Sequence, residues 1–165
     1  MSDKIHTSFL RAQREQALAL AAASDLLELT PGPGDAPSRY VARFKCDGLV
    51  RMPAGEIARA NRFDVGIQFP ESYLRHVEPL QVATMLWPHN VWAPNVNGFG
   101  ICVGHLPPGT TLVEILYQLF DIIAWNRFRL DDALNPDACE FARNNMGMFP
   151  IDRRPLKRRA GGGPK

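Results

Sequence analysis

Pro88-His89-Asn90-Val91-Trp92-Ala93-Pro94-Asn95-Val96-Asn97-Gly98-Phe99-Gly100-Ile101-Cys102-Val103-Gly104-His105-Leu106-Pro107-Pro108-Gly109-Thr110 is the stretch on which the fold turns. It has neither the alternation of a strand nor the 3.6-residue period of a helix, and it is dense in Pro, Asn and Gly. A loop this long inside a compact domain is uncommon and is usually functional or disordered. Trp92, Phe99, Ile101 and Cys102 argue against simple disorder, because a solvated segment does not carry such apolar side chains. The loop divides the chain into a strand-rich part before it and a helical part after it.

Upstream, Phe63-Asp64-Val65-Gly66-Ile67-Gln68-Phe69 alternates without a fault and is closed by Pro70, which marks a half-buried strand. Leu80-Gln81-Val82-Ala83-Thr84-Met85-Leu86-Trp87 reads as another, ended by Pro88. Tyr40, Ala42, Phe44 and Cys46 share one face of a third, and Leu26-Leu27-Glu28-Leu29 is short enough to be a fourth. Pro31-Gly32-Pro33-Gly34-Asp35-Ala36-Pro37 continues no regular element and is a turn. Strong helix formers from about Ser8 to Ser24 predict an N-terminal helix with Arg11 and Arg14 on its outer face.

Downstream, Thr111-Leu112-Val113-Glu114 is a capping box, in which Thr111 and Glu114 satisfy each other's exposed backbone donors. Leu112, Ile115, Leu116, Leu119, Phe120 and Ile123 then mark one helical face. A last helix opens at Asn135-Pro136-Asp137, with cap, first-turn proline and dipole-matched acid in order. The fold class is therefore α+β: one helix, a meander of about four strands, a long structured loop, and two helices.

The chain has 165 residues, 45% hydrophobic and 22% charged, which suits one soluble domain and excludes collagen, coiled coil and wholesale disorder. No apolar run reaches the roughly 18 residues of a membrane span, and the N-terminus lacks a secretory pattern, so a cytoplasmic location is expected. Residues 151–165 carry Arg153, Arg154, Lys157, Arg158, Arg159 and Lys165 against Asp152, a local charge of +5 that leaves −3 on the rest of a chain of net charge +2. With Pro155, Pro164 and Gly161-Gly162-Gly163, this segment is expected to be a disordered basic tail beyond a domain spanning 1–150. It serves either solubility or docking to an acidic partner or nucleic acid.

Cys46, Cys102 and Cys139 are odd in number and widely spaced, neither a disulfide framework nor a zinc pattern. Four scattered histidines, His6, His76, His89 and His105, indicate no metal site, and no cofactor is expected. Cys46 falls on an inward strand face, and Cys139 lies on a helix near Phe141 and Ala142, so both read as small core residues. Cys102, between Gly100 and Gly104, is either a reactive thiol with room around it or an inert one.

Four segments resemble the ubiquitin-conjugating (UBC) family. Phe69-Pro70-Glu71-Ser72-Tyr73-Leu74 followed by Glu78-Pro79-Leu80-Gln81-Val82 is similar to its FPxxYPxxPPxV segment, and Ala93-Pro94-Asn95-Val96-Asn97-Gly98 to its HPNxxxxG motif. Gly100-Ile101-Cys102-Val103 resembles the GxICL stretch around the active-site cysteine, and Asp131-Asp132-Ala133-Leu134-Asn135-Pro136 the DDPLNP segment before the next helix. The segments run from Phe69 to Pro136, and the matching order of elements extends the resemblance over about Ser8 to Asn145. Ala93 departs from the family's histidine, the interval from Asn95 to Cys102 is one residue short, and only two helices follow. The nearest resemblance is to divergent members from bacterial operons that also encode a ubiquitin-like modifier, an activating enzyme and a deubiquitinase-like peptidase.

The resemblance implies a conjugating enzyme that accepts a ubiquitin-like protein as a thioester on Cys102 and passes it to an amine. It implies that Asn95 stabilises the tetrahedral oxyanion, though its side chain could equally brace the loop. Asp132, with Asp131 beside it, would orient and help deprotonate the acceptor; otherwise both are solvated acids before a helix. The first helix, through Arg11 and Arg14, would meet the activating enzyme. Leu74 and Pro107-Pro108-Gly109 fall where the family binds ligases. A catalytically inactive binding module of the same fold is the alternative, consistent with Ala93 and the shortened loop. His105, three residues after Cys102, raises a Cys-His hydrolase as the rival enzyme. Membrane partners are not expected, and nucleic acid is not indicated.

Overall fold

The computed structural model describes residues 3–128, 130 and 133–159. Helix α1 spans Lys4–Ala22, opened by Asp3, whose carboxylate accepts the Ile5 N–H at 2.9 Å. Leu10, Gln13, Ala17 and Leu20 recur at helical spacing and form its buried face. Four strands follow the predicted order: β1 (Leu27–Pro31), β2 (Arg39–Phe44), and, after a small hairpin, β5 (Phe63–Gln68) and β6 (Ala83–Trp87). They pair antiparallel, β1-β2-β5-β6, with Leu27 opposite Phe44 and Phe44 opposite Phe63. Alternation sends Tyr40, Ala42, Phe44, Phe63, Val65, Ile67 and Met85 into the core. No helix among the described residues is long and apolar enough to cross a membrane.

Three parts differ from the sequence expectation. Strands β3 (Gly48–Arg51) and β4 (Ile57–Ala60) form an extra two-stranded hairpin around Met52-Pro53-Ala54-Gly55-Glu56. Its first residue must be glycine, because a Cβ at Gly48 would sit 2.7 Å from the Phe63 ring and 2.8 Å from the Ile123 carbonyl. Pro79–Val82 is a single helical turn, α2, begun by a proline at its first position, so the strand starts only at Ala83.

The third correction concerns residues 151–159, expected to be disordered. They instead form a strap over the fold. Ile151 and Leu156 are buried, the Ile151 N–H donates to Ala124 O at 2.8 Å, and the Arg158 N–H donates to Ala23 O at 2.9 Å. Arg158 also donates to Asp25 and to Ala22 O. The basic run reads as solvated, yet two apolar residues and one acid within it supply the anchors. Residues 160–165 lie outside the described residues.

The anchoring acid is Asp152, which accepts the Asp47 N–H at 2.8 Å, the Arg154 N–H at 3.0 Å and the Arg154 guanidinium at 2.8 Å. Burial pushes its carboxyl up, but these donors outweigh burial and hold it below the ordinary carboxylate value. A depressed folded pKa gives stability that is present above the unfolded value, about 3.9, and lost as pH falls through the folded one. The expected result is a urea midpoint that drops below about pH 4, and an Asp152→Asn protein less stable by about 1–3 kcal/mol at pH 7 with a flatter acid limb. An unchanged acid limb in Asp152→Asn would remove this clasp from the account.

Helix α3 (Leu112–Ile123) has the predicted capping box, and Gln13 reaches across from α1 to accept the Leu112 N–H at 2.8 Å. Its predicted apolar face is buried throughout. Helix α4 (Pro136–Asn144) starts at the expected Asn135 cap, whose side chain accepts the Ala138 N–H at 3.1 Å. The element order expected of the α+β reading is thus present.

Candidate functional site

The long loop is ordered by a pair of two-residue strands, β7 (Val96–Asn97) and β8 (Gly100–Ile101), which turn at Gly98. Gly98 has φ +59°, a conformation that a side chain disfavours. Gly100 pairs with Thr84, so β8 extends the main sheet beyond β6. The Cys102 N–H then donates to Asn95 O at 2.9 Å and closes the loop on itself. Ile101 and Val103 are buried while Cys102 between them is only half-buried, so strand-like alternation turns the thiol outward.

Cys102 faces a cleft of about 330 Å³. Asn95, Val103 and His105 line it from the loop, Gln118, Asp121 and Ile122 from α3, and Arg127 and Phe128 from the chain that follows. Residues 118, 121 and 122 share one helical face by their i, i+3, i+4 spacing. Arg127 and Phe128 return to the cleft because the chain reverses at Trp125, where φ is +58°. That reversal is fixed by backbone donors from Asn126 and Arg127 to Asp121 O, and by Trp125 Nε1 donating to Trp92 O at 3.1 Å.

Asp121 is half-buried, and its carboxyl is raised above the ordinary value by that burial, against the opposing pull of Arg127 and an Asn126 hydrogen bond. Gln118 Oε1 is buried with no hydrogen-bond partner among the described residues. Asn95 is 1% exposed. The start of the α4 segment docks on the same loop, with the Leu134 and Asn135 N–H groups donating to Pro94 O at 2.9 and 3.1 Å.

The other thiols are different. Cys46 is fully buried and burial pushes it up to about 12, and Cys139 is buried and raised for the same reason. The structure therefore brings together Cys102, Asn95 and His105. Asp131 and Asp132 lie outside the described residues. His105 is exposed, and among the described residues no hydrogen bond joins it to Cys102. His89 lines another groove and packs on Phe99 at 4.3 Å. Ala93 is fully buried in the core. Among the described residues no group of three or more His, Cys, Asp or Glu is placed to hold a metal ion.

On α1, Arg11 is exposed and paired with Asp35 at 3.2 Å. Arg14 is a correction: it is half-buried, with its Nε enclosed, and its charge acts on the Tyr40 hydroxyl beneath. At the far end of α3, Tyr73 donates to Thr110 O at 2.6 Å and ties the Leu74 loop to the Pro107–Pro108 loop. Sequence reasoning missed Gln118, Asp121 and Arg127. The available signal was Asp121, an acid set directly among Leu119, Phe120, Ile122 and Ile123.

No known family model matches the sequence. No curated protein matches it either. Among solved structures, human ubiquitin-conjugating enzyme E2 G1 is similar over 72% of this chain and 93% of its own length, with 17% identity and a TM-score of 0.48.

Proposed function

We propose that the protein is a conjugating enzyme for a ubiquitin-like modifier, carrying the modifier's C-terminal acyl group as a thioester on Cys102 and passing it to an amine. The observation that supports this reading is the outward-turned, half-buried thiol of Cys102 at the lip of a cleft, where the other two thiols are buried. Thiol exchange needs a sulfur that a large acyl donor can reach, and the glycines at 100 and 104 leave room for an extended tail.

Loading breaks the activating enzyme's C–S bond and forms one to Cys102. Transfer then breaks that bond in favour of C–N. Both steps pass through a tetrahedral oxyanion, for which one placed donor contributes roughly 2.7–4 kcal/mol. In this reading Asn95 supplies the donor, Asp132 orients the acceptor, and α1 with Arg11 meets the activating enzyme. The setting is a pathway in which modifier and activating enzyme are encoded beside this protein, at work in the cytoplasm.

The test is to combine the protein with those two partners and ATP. A covalent adduct that thiol reductant removes is expected; no adduct, or one resistant to reductant, would sink the proposal. The rival reading, a non-catalytic modifier-binding module, draws on Ala93 and on the burial of Asn95. It expects a modifier complex that survives loss of the Cys102 thiol.

A further inference from the structure

The cleft beside Cys102 is asymmetric in its chemistry. Val103, Ile122 and Phe128 give it apolar wall, while Asp121 and Gln118 set two oxygen acceptors on α3. Among the described residues Gln118 Oε1 is enclosed without a partner, and a buried acceptor of this kind favours an arriving donor. An aliphatic stem ending in an amine matches this arrangement: methylenes against the apolar wall, and up to three N–H donors for the two acceptors.

We infer that this cleft receives the acceptor amine and that Asp121, on α3, is the base that takes its proton. The inference rests on the acyl-transfer reading of Cys102 and adds a second acid to the Asp132 position. The ammonium gives one proton to the Asp121 carboxylate, which passes it to solvent. The freed nitrogen pair attacks the thioester carbonyl carbon and forms the C–N bond. The C–S bond then breaks with its electron pair on sulfur, and the second nitrogen proton goes to that sulfur, regenerating the Cys102 thiol. No oxidant, metal or further reactant is needed.

Electrostatics suit the role. A free lysine amine has an ordinary pKa near 10.4 and is mostly protonated at pH 7. Burial makes Asp121 more basic than a surface aspartate, against the opposing pull of Arg127 and an Asn126 hydrogen bond, so its carboxylate accepts a proton more readily. The titratable and charged groups lining the cleft among the described residues are Cys102 and His105 from the loop, Asp121 from α3 and Arg127 beyond it.

The experiment needs neither the modifier nor the activating enzyme. Cys102 is loaded by exchange with a mercaptoethanesulfonate thioester of glycylglycine, and discharge per loaded molecule is followed with free lysine and with hydroxylamine, whose nitrogen is already unprotonated at neutral pH. In Asp121→Asn the ratio of lysine to hydroxylamine rates is expected to fall at least about tenfold, and Asp121→Glu recovers part of it. In the unmodified protein, the lysine rate rises with pH more steeply below the Asp121 pKa than above it, and the hydroxylamine rate, taken per unprotonated hydroxylamine, shows no such bend.

An unchanged rate ratio in Asp121→Asn, an equal loss with both nucleophiles, or a lysine profile without a bend overturns the inference. The bend is read on the unmodified protein, so the test stands even where Asp121→Asn does not fold. Because loading is chemical, these outcomes are independent of whether the activating enzyme charges Cys102, which decides the proposed function.

Discussion

A Cys102→Ala protein is expected to form no thioester with the modifier, whereas Cys46→Ala and Cys139→Ala proteins charge. The contrast follows from where each sulfur sits. The reacting species is the thiolate, and a thiol held at about 12, as Cys46 is, supplies about one thiolate in 10⁵ at pH 7. Its side chain is also fully buried in the core, where no acyl group can reach. Cys139 is sealed on the inner face of α4. Cys102 alone among the three has outward geometry, set by its buried neighbours Ile101 and Val103 and by its own N–H bond to Asn95 O. The measurement is a non-reducing gel of each variant after charging, paired with mass spectrometry of an alkylated sample. Iodoacetamide should mark Cys102 first. A Cys102→Ala protein that still gives a reductant-sensitive adduct overturns the assignment, and the two buried cysteines serve as controls because truncating them costs stability rather than chemistry.

The elements legible in the sequence are those whose local signals and tertiary burial agree. The Thr111/Glu114 box and the spacing of Leu112, Ile115, Leu116, Leu119, Phe120 and Ile123 both specify α3, and both are realised. Phe63–Phe69 alternates because one face packs into the core, while the other carries Asp64, held by Arg43 and Arg62, then Gly66 and the exposed Gln68. The β3–β4 hairpin escaped because its strands are four residues each. Ala58, Arg59 and Ala60 carry little strand preference, and tertiary contact of Gly48 with Phe63 and Ile123 fixes the pairing. Arg14 is expected on the outer face of α1, but it stands four residues after the buried Leu10 and three before the buried Ala17, where the sheet beneath presents Tyr40 to it. The strap at 151–159 was hidden by its charge. At the site, Cys102 was legible from sequence through the motif around it. Asp121 was not, because a helix that looks wholly core-facing offers no reason to treat one acid as part of a cleft, and only the reversal at Trp125 brings Arg127 and Phe128 opposite it.

That reversal carries the largest stability effect expected of a single side chain. Trp125 is 1% exposed, stacks on Phe149 with ring centres 4.3 Å apart and planes 9° off parallel, and meets Phe128 and Phe141 edge-on. Its indole N–H is the donor that satisfies Trp92 O. Trp125→Ala removes the largest fully buried side chain and leaves a carbonyl short of its donor. A loss of about 3–5 kcal/mol is expected, a large part of the roughly 5–15 kcal/mol that holds a domain together. In a thermal scan this is a fall of about 6–20 °C. The left-handed backbone separates packing from strain. At φ +58° a Cβ costs roughly 1–2 kcal/mol, and alanine keeps that cost, whereas glycine sheds it. Trp125→Gly should therefore be less destabilised than Trp125→Ala, although it removes one more carbon. Elsewhere in a helix or strand glycine is the worse substitution by roughly 0.5–1 kcal/mol, so the inverted order is diagnostic. Urea midpoints of the two variants decide it: glycine below alanine, or an alanine variant within about 1 kcal/mol of the parent, would mean that the turn is held by something other than this ring. The site gives a second readout, because Arg127 and Phe128 line the cleft only after the reversal. With Trp125 truncated, the pocket wall opposite Asp121 loosens, and discharge of a loaded Cys102 to lysine should slow at temperatures where the fold still holds.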